Sequence, residues 1–167
     1  MIARYTREKM AAIWSDRNRY ATWLKVEIAA LEAMAAEGLV PAEAVEQVKA
    51  KADFDPRRIE EIEAVTRHDV IAFLTNVAEY VGEPSRWVHH GMTSSDVLDT
   101  AYNLQLVQAA DLLLADLDAL LAVLKRRAFE LRTRCRSDAA TASTPSRSPS
   151  VSSSPSGTTR CAAIASG

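Results

Sequence analysis

The sequence predicts an all-α chain: an N-terminal helical domain over residues 1–93, one long helix over 94–130 drawn from a larger helical bundle, and a disordered tail over 131–167. Three observations lead there. Residues 1–130 contain only three glycines and three prolines, so little interrupts regular structure. Their apolar residues recur at intervals of three and four, the period of a helix that buries one face. After Leu131 the composition breaks, with nine serines and no lysine among residues 137–156, which is too little apolar surface to form a core.

The elements follow in order. Residues 18–37 carry Trp23, Val26, Ala30, Leu31 and Met34 on one stripe and stop at Gly38, which takes the left-handed position after a helix without a Cβ penalty. Pro41 opens the next helix. Asp55-Pro56 reads as an N-cap followed by proline at the first helical position, where its missing N–H leaves nothing unpaired. Residues 69–81 form a further helix ending at Gly82, and 83–92 form a loop into the long helix. That helix is on the order of 55 Å long at 1.5 Å per residue, too long for an isolated small domain. From Leu112 to Leu124 its apolar residues cover most of the circumference and leave Asp111, Asp118 and Lys125 as a narrow polar strip. Most of its faces therefore need neighbours that this chain does not supply.

Composition excludes several classes of function. A net charge of -2 and a pI near 5.9 do not fit a general nucleic-acid or membrane surface. Asp111, Asp116, Asp118 and Lys125-Arg126-Arg127 leave too short an uncharged run for a membrane span. The N-terminus is charged and shows no signal-peptide core, so a cytoplasmic location is expected. Cys135 and Cys161 have no second cysteine or histidine at metal-ligand spacing, and no metal is expected.

Two polar clusters stand out. Trp87 to Thr100 reads W-V-H-H-G-M-T-S-S-D-V-L-D-T, so two of the three histidines, a glycine and three hydroxyls precede the longest apolar segment. Thr93, Ser94, Ser95 and Asp96 can supply capping groups, which is the plain structural reading. The free first-turn amides and the positive end of the helix also suit a carboxylate or phosphate. His89 and His90 are adjacent and point in different directions, so at most one faces a site there. In the second cluster, Thr66-Arg67-His68-Asp69, Asp69 can cap the following helix. Alternatively, Arg67 and His68 present a cation and an imidazole to an anionic ligand.

Taken with R-Y-T at residues 4–6, the strings T-R-H-D-V-I-A-F and H-H-G-M-T-S-S-D-V-L-D-T-A resemble the adenylosuccinate lyase family of the aspartase/fumarase superfamily. W-S-D-R-N-R-Y-A-T-W-L-K-V-E at 14–27 adds to the likeness, which runs from Met1 to about Glu130. The resemblance implies a homotetramer with a core of long helices and active sites each built from three subunits. It implies β-elimination of fumarate from adenylosuccinate to give AMP, and from the succinyl-carboxamide ribotide, with no cofactor. By the same likeness Arg4, Tyr5, Arg67, His68 and Asp69 bind the nucleotide, His89 stands in the substrate pocket, and Thr93 and Ser94 hold a succinyl carboxylate.

Two of the family's segments are missing from the chain. The string S-S-x-M-P-x-K-x-N, which carries the catalytic serine, does not occur, nor does G-R-S-H-G-I-H-A-E-P with the expected general-acid histidine. Permitted codons for residues 136–155, read one base out of register, give I-G-R-S-H-G-I-H-A-E-P-V-T-F-G-L-K-L-A. Loss of one base near Arg132 would thus replace that segment with the serine-rich tail. The chain as written is expected to lack activity. Two rivals remain: another lyase of the superfamily, acting on argininosuccinate or a carboxymuconate, and a non-catalytic helical interaction protein.

Overall fold

The computed structural model describes residues 3–132, and these are helical with no strand among them. The serine-rich tail expected over 131–167 lies outside the described residues apart from its first two positions. The helices are α1 (Glu8–Ile13), α2 (Asp16–Ala36), α3 (Ala42–Lys51), α4 (Pro56–Thr66), α5 (Asp69–Val81) and α6 (Ser94–Leu131). Two 3-10 turns, Ala3–Tyr5 and Glu83–Trp87, precede α1 and follow α5. The chain divides into two compact units, Met1–Leu117 and Asp118–Gly167.

Local chemistry sets most boundaries. α2 starts at Asp16, two residues before the expected start at Asn18, because the Ser15 hydroxyl accepts the Asn18 N–H at 3.2 Å. It ends in a Schellman motif: Gly38, at φ +73°, donates to the Ala35 carbonyl, and Leu39 donates to that of Met34. Pro41 proves to be the N-cap of α3 with extended ψ of 130°, not its first helical residue. Asp55 caps α4 by accepting the Arg57 N–H at 3.0 Å, with Pro56 in the first turn. The expected loop over 83–92 holds the second 3-10 turn, because Pro84 fits its opening position and is itself buried.

In the first unit, α2 packs on α3 and α4, and α4 packs extensively on α5. The centre is aromatic: Tyr20 stacks on Phe73 at 5.8 Å, and Trp23 meets Phe73 edge-on at 5.4 Å. Ile59, Val70, Phe73, Val97 and Ala101 are fully buried. At about 1.5–3 kcal/mol for each large apolar side chain, this cluster dominates the unit's stability. The start of α6 joins it through Val97 and Ala101, and Gln105 and Ala109 continue the buried row, one every fourth residue. In the second unit the described residues are the end of α6 and the residue after it, and their apolar side chains, Leu120, Leu121, Val123, Leu124 and Phe129, are exposed.

Candidate functional site

The HHGMTSSD segment is a tight turn into α6. His89 has a left-handed backbone, φ +63°, as does Gly91 at φ +70°, and the His89 carbonyl accepts the Met92 N–H. The His89 imidazole is mostly buried, and Glu27 holds it. Glu27 Oε1 lies 2.6 Å from Nδ1 of the ring, and Oε2 accepts the His89 backbone N–H at 2.9 Å. Burial pushes the Glu27 carboxyl above its ordinary range, and the bonds from His89 oppose that shift. His90 turns away, exposed, with its ring 6.0 Å from that of Trp87.

At the start of α6 the cap differs from the hydroxyl cap expected. The Asp96 carboxylate reaches back to accept the Thr93 N–H at 2.9 Å, half of a capping box. An ionised oxygen is the stronger acceptor, so it takes the bond that a hydroxyl would otherwise make. Among the described residues, no side-chain hydrogen bond joins the hydroxyls of Thr93, Ser94 or Ser95 to the chain, whereas the Thr93 backbone N–H is taken by Asp96. The Asp96 charge, set at the same helix end, offsets part of the positive field there.

The second cluster lies between α4 and α5. Arg67 closes α4 in the left-handed conformation, φ 54° and ψ 30°, and its N–H donates to the Glu63 carbonyl. The residue that caps α5 is His68, not Asp69 as the sequence suggested: its Nδ1 accepts the Ile71 N–H at 3.3 Å. The Asp69 carboxylate instead accepts the neighbouring Val70 N–H at 2.7 Å, inside the first turn of the helix. A ring nitrogen that accepts is unprotonated, so this cap goes with a neutral His68 protonated on Nε2, while the Asp69 carboxylate lies 3.5 Å from the same Nδ1. Arg67 and His68 are exposed.

Arg4 and Tyr5 form a third group. They lie in the first 3-10 turn, with the Arg4 guanidinium 4.8 Å from the centre of the exposed Tyr5 ring. The segment that follows runs antiparallel to α6. Arg7 pairs with Asp116, the Ile13 carbonyl accepts from Gln105 at 2.9 Å, and Trp14 contacts Tyr102 at 6.1 Å. From Ser94 to Asp116 the helix rises roughly 33 Å at 1.5 Å per residue. Arg4 and Tyr5 therefore sit far from Thr93 and Ser94 of the same chain. Nor does any hydrogen bond or ion pair among the described residues join Arg67, His68 or Asp69 to His89, Thr93 or Ser94.

Sequence reasoning passed over Glu27, although the signal was present. Glu27 falls four residues after Trp23 and four before Leu31, so a carboxylate interrupts the buried stripe of α2. No group of three or more His, Cys, Asp or Glu among the described residues could hold a metal.

The fold is that of the fumarase/lyase superfamily, and the lyase family profile matches residues 3–133. The chain belongs to that lyase family. Among its relatives, the adenylosuccinate lyase of Synechocystis is 55% identical over 132 residues, 79% of this chain and 31% of that protein. The adenylosuccinate lyase of Bacillus subtilis is 51% identical over 130 residues, 78% of this chain and 30% of that one. The crystal structure of 3-carboxy-cis,cis-muconate lactonizing enzyme from Pseudomonas putida aligns with a TM-score of 0.72 and 33% identity, covering 78% of this chain and 32% of that one. The chain spans about a third of the length of these curated relatives.

Proposed function

We propose that this chain is the N-terminal part of an adenylosuccinate lyase, a cytoplasmic enzyme that eliminates fumarate from adenylosuccinate and from the succinyl-carboxamide ribotide. One observation carries the reading: identity of 55% and 51% to adenylosuccinate lyases of two organisms. The family match, residues 3–133, contains every candidate residue from Arg4 to Ser94. The 33% identity to a carboxymuconate enzyme supports the superfamily and favours its other reactions less.

The chemistry needs a base beside a carboxylate, stabilisation of the resulting aci-carboxylate dianion, and an acid for the leaving nitrogen. Thr93, Ser94 and the amides at the start of α6 supply the second, with their hydroxyls unengaged in the chain. Arg4, Tyr5, Arg67, His68, Asp69 and His89 contact the nucleotide. The distance of Arg4 and Tyr5 from Ser94 supports a site completed by other copies, as in a homotetramer whose sites draw on three subunits. No cofactor takes part. The domain division at residues 93 and 94 belongs to the same reading, as does a single-base loss near Arg132 that removed the serine loop and the general-acid histidine.

Variants of a frame-restored protein test the site. His68→Ala and Ser94→Ala each lower kcat/KM at least about tenfold, roughly 1.4 kcal/mol of transition-state binding. Rates near those of the unsubstituted enzyme for both would remove these residues from the site.

A further inference from the structure

Glu27 is the one charged side chain buried in the core among the described residues, at 2% exposure. A buried carboxylate persists only where it is paired and hydrogen-bonded. Both of its bonds come from a single residue, His89: the backbone N–H at 2.9 Å and the ring Nδ1 at 2.6 Å. That residue holds a left-handed backbone, φ +63°, uncommon for any residue with a side chain. Glu27 thus fixes both the turn and the ring.

The tautomer follows from the donor and acceptor inventory. An ionised carboxylate only accepts, so the proton of the neutral ring lies on Nδ1 and Nε2 keeps its lone pair. Nε2 has no partner within the chain among the described residues. Because every buried side-chain nitrogen or oxygen there has a partner, Nε2 is not sealed in the core, and the ring keeps 17% of its surface exposed. His68 is its opposite, accepting on Nδ1 and presenting Nε2–H.

We propose that Glu27 is a positioning residue for His89, holding the imidazole in its Nδ1–H tautomer so that Nε2 meets the substrate as a hydrogen-bond acceptor beside the start of α6. This role rests on the lyase reading, whereas the tautomer does not. An accepting nitrogen suits a ribose hydroxyl or the N–H of the leaving amine, and it does not suit a phosphate oxygen. The two site histidines would then divide their work, His68 donating and His89 accepting. Carboxylates that orient an imidazole through its far nitrogen serve this purpose in catalytic and metal sites generally.

Histidine-labelled ¹⁵N NMR of the 167-residue chain tests it, in solution or by magic-angle spinning of pelleted protein, at a pH where free imidazole is neutral. His68→Gln and His90→Gln assign the signals. The expected result is a protonated Nδ1 and a bare Nε2 for His89, with the reverse for His68. In Glu27→Gln the side-chain amide can donate to Nδ1, and the His89 proton moves to Nε2. An Nε2–H tautomer of His89 in the unsubstituted chain overturns the proposal, and so does a tautomer unmoved in a folded Glu27→Gln. If that variant does not fold, the unsubstituted chain's tautomer decides alone. In the frame-restored enzyme, Glu27→Gln lowers kcat/KM about tenfold, and adding it to His89→Ala causes no further loss, as expected for residues acting as a unit. Additive losses would overturn the positioning role. An Nδ1–H tautomer together with a fully active His89→Ala enzyme would overturn the substrate role and the site reading, leaving the tautomer intact.

Discussion

The start of α6 and its later course are equally helical but differ in what covers them. Up to Ala109, every fourth residue is buried, Trp14 contacts Tyr102 of the helix, and the Ile13 carbonyl accepts from Gln105. Beyond it, Leu113, Leu114 and Leu117, and in the second unit Leu120, Leu121 and Leu124, are each at least half exposed. Helix propensity and spacing are local and form both stretches, whereas burial needs a partner. The later stretch therefore has no covering partner among the described residues.

The largest expected effect follows from that uncovered face. Contiguous exposed apolar surface drives association, and on the proposed reading the chain lacks its base and acid and so loses proton-transfer catalysis. The purified 167-residue chain should self-associate in sedimentation and release no fumarate above the buffer rate. A monomer with measurable turnover would erase the contrast between the two stretches.

A pair of truncations sharpens it. Phe73→Ala, in the aromatic centre, should cost about 3–5 kcal/mol in a urea melt. At a dilution where the chain is monomeric, Leu121→Ala should change the same melt by less than about 0.5 kcal/mol, because an exposed side chain has little packing to lose. Equal losses would mean that the later stretch is covered after all.

The smallest effect is electrostatic. Arg58 bonds Glu79 through its Nε and Nη2 at 2.9–3.3 Å, and this, with the Asn76 amide, holds the Glu79 carboxyl below the usual carboxylate range. The folded state then binds that proton less tightly than the unfolded one. The contribution is complete above the unfolded carboxylate's pKa and is lost as pH falls through the folded value. Glu79→Gln should flatten the acid limb of a stability-against-pH curve, and an unchanged limb would remove the pair from the account.

Much of this was legible in the sequence, for identifiable reasons. Gly38, Asp55-Pro56, Gly82 and the start of α6 at Ser94 act through their own backbone, so local chemistry locates them. The cap at His68 was harder to see, because histidine is an unusual capping residue and Asp69 beside it is a common one. At the start of α6 the sequence offered Thr93, Ser94, Ser95 and Asp96 alike as capping groups, and only the structure shows that Asp96 makes the bond. Glu27 and its bond to His89 lie 62 residues apart in the chain, and only folding brings them together. The antiparallel clasp of Arg7 on Asp116 is equally remote in sequence, and it is what separates Arg4 and Tyr5 from Ser94.

The most direct test of the central claim is fumarate release from adenylosuccinate by the protein encoded after one base is restored near codon 132. The account predicts a long open frame that continues through H-G-I-H-A-E-P to the serine loop, and a product that releases fumarate at a steady rate. A stop within a few codons of the repair, or a soluble full-length product without turnover, would contradict it.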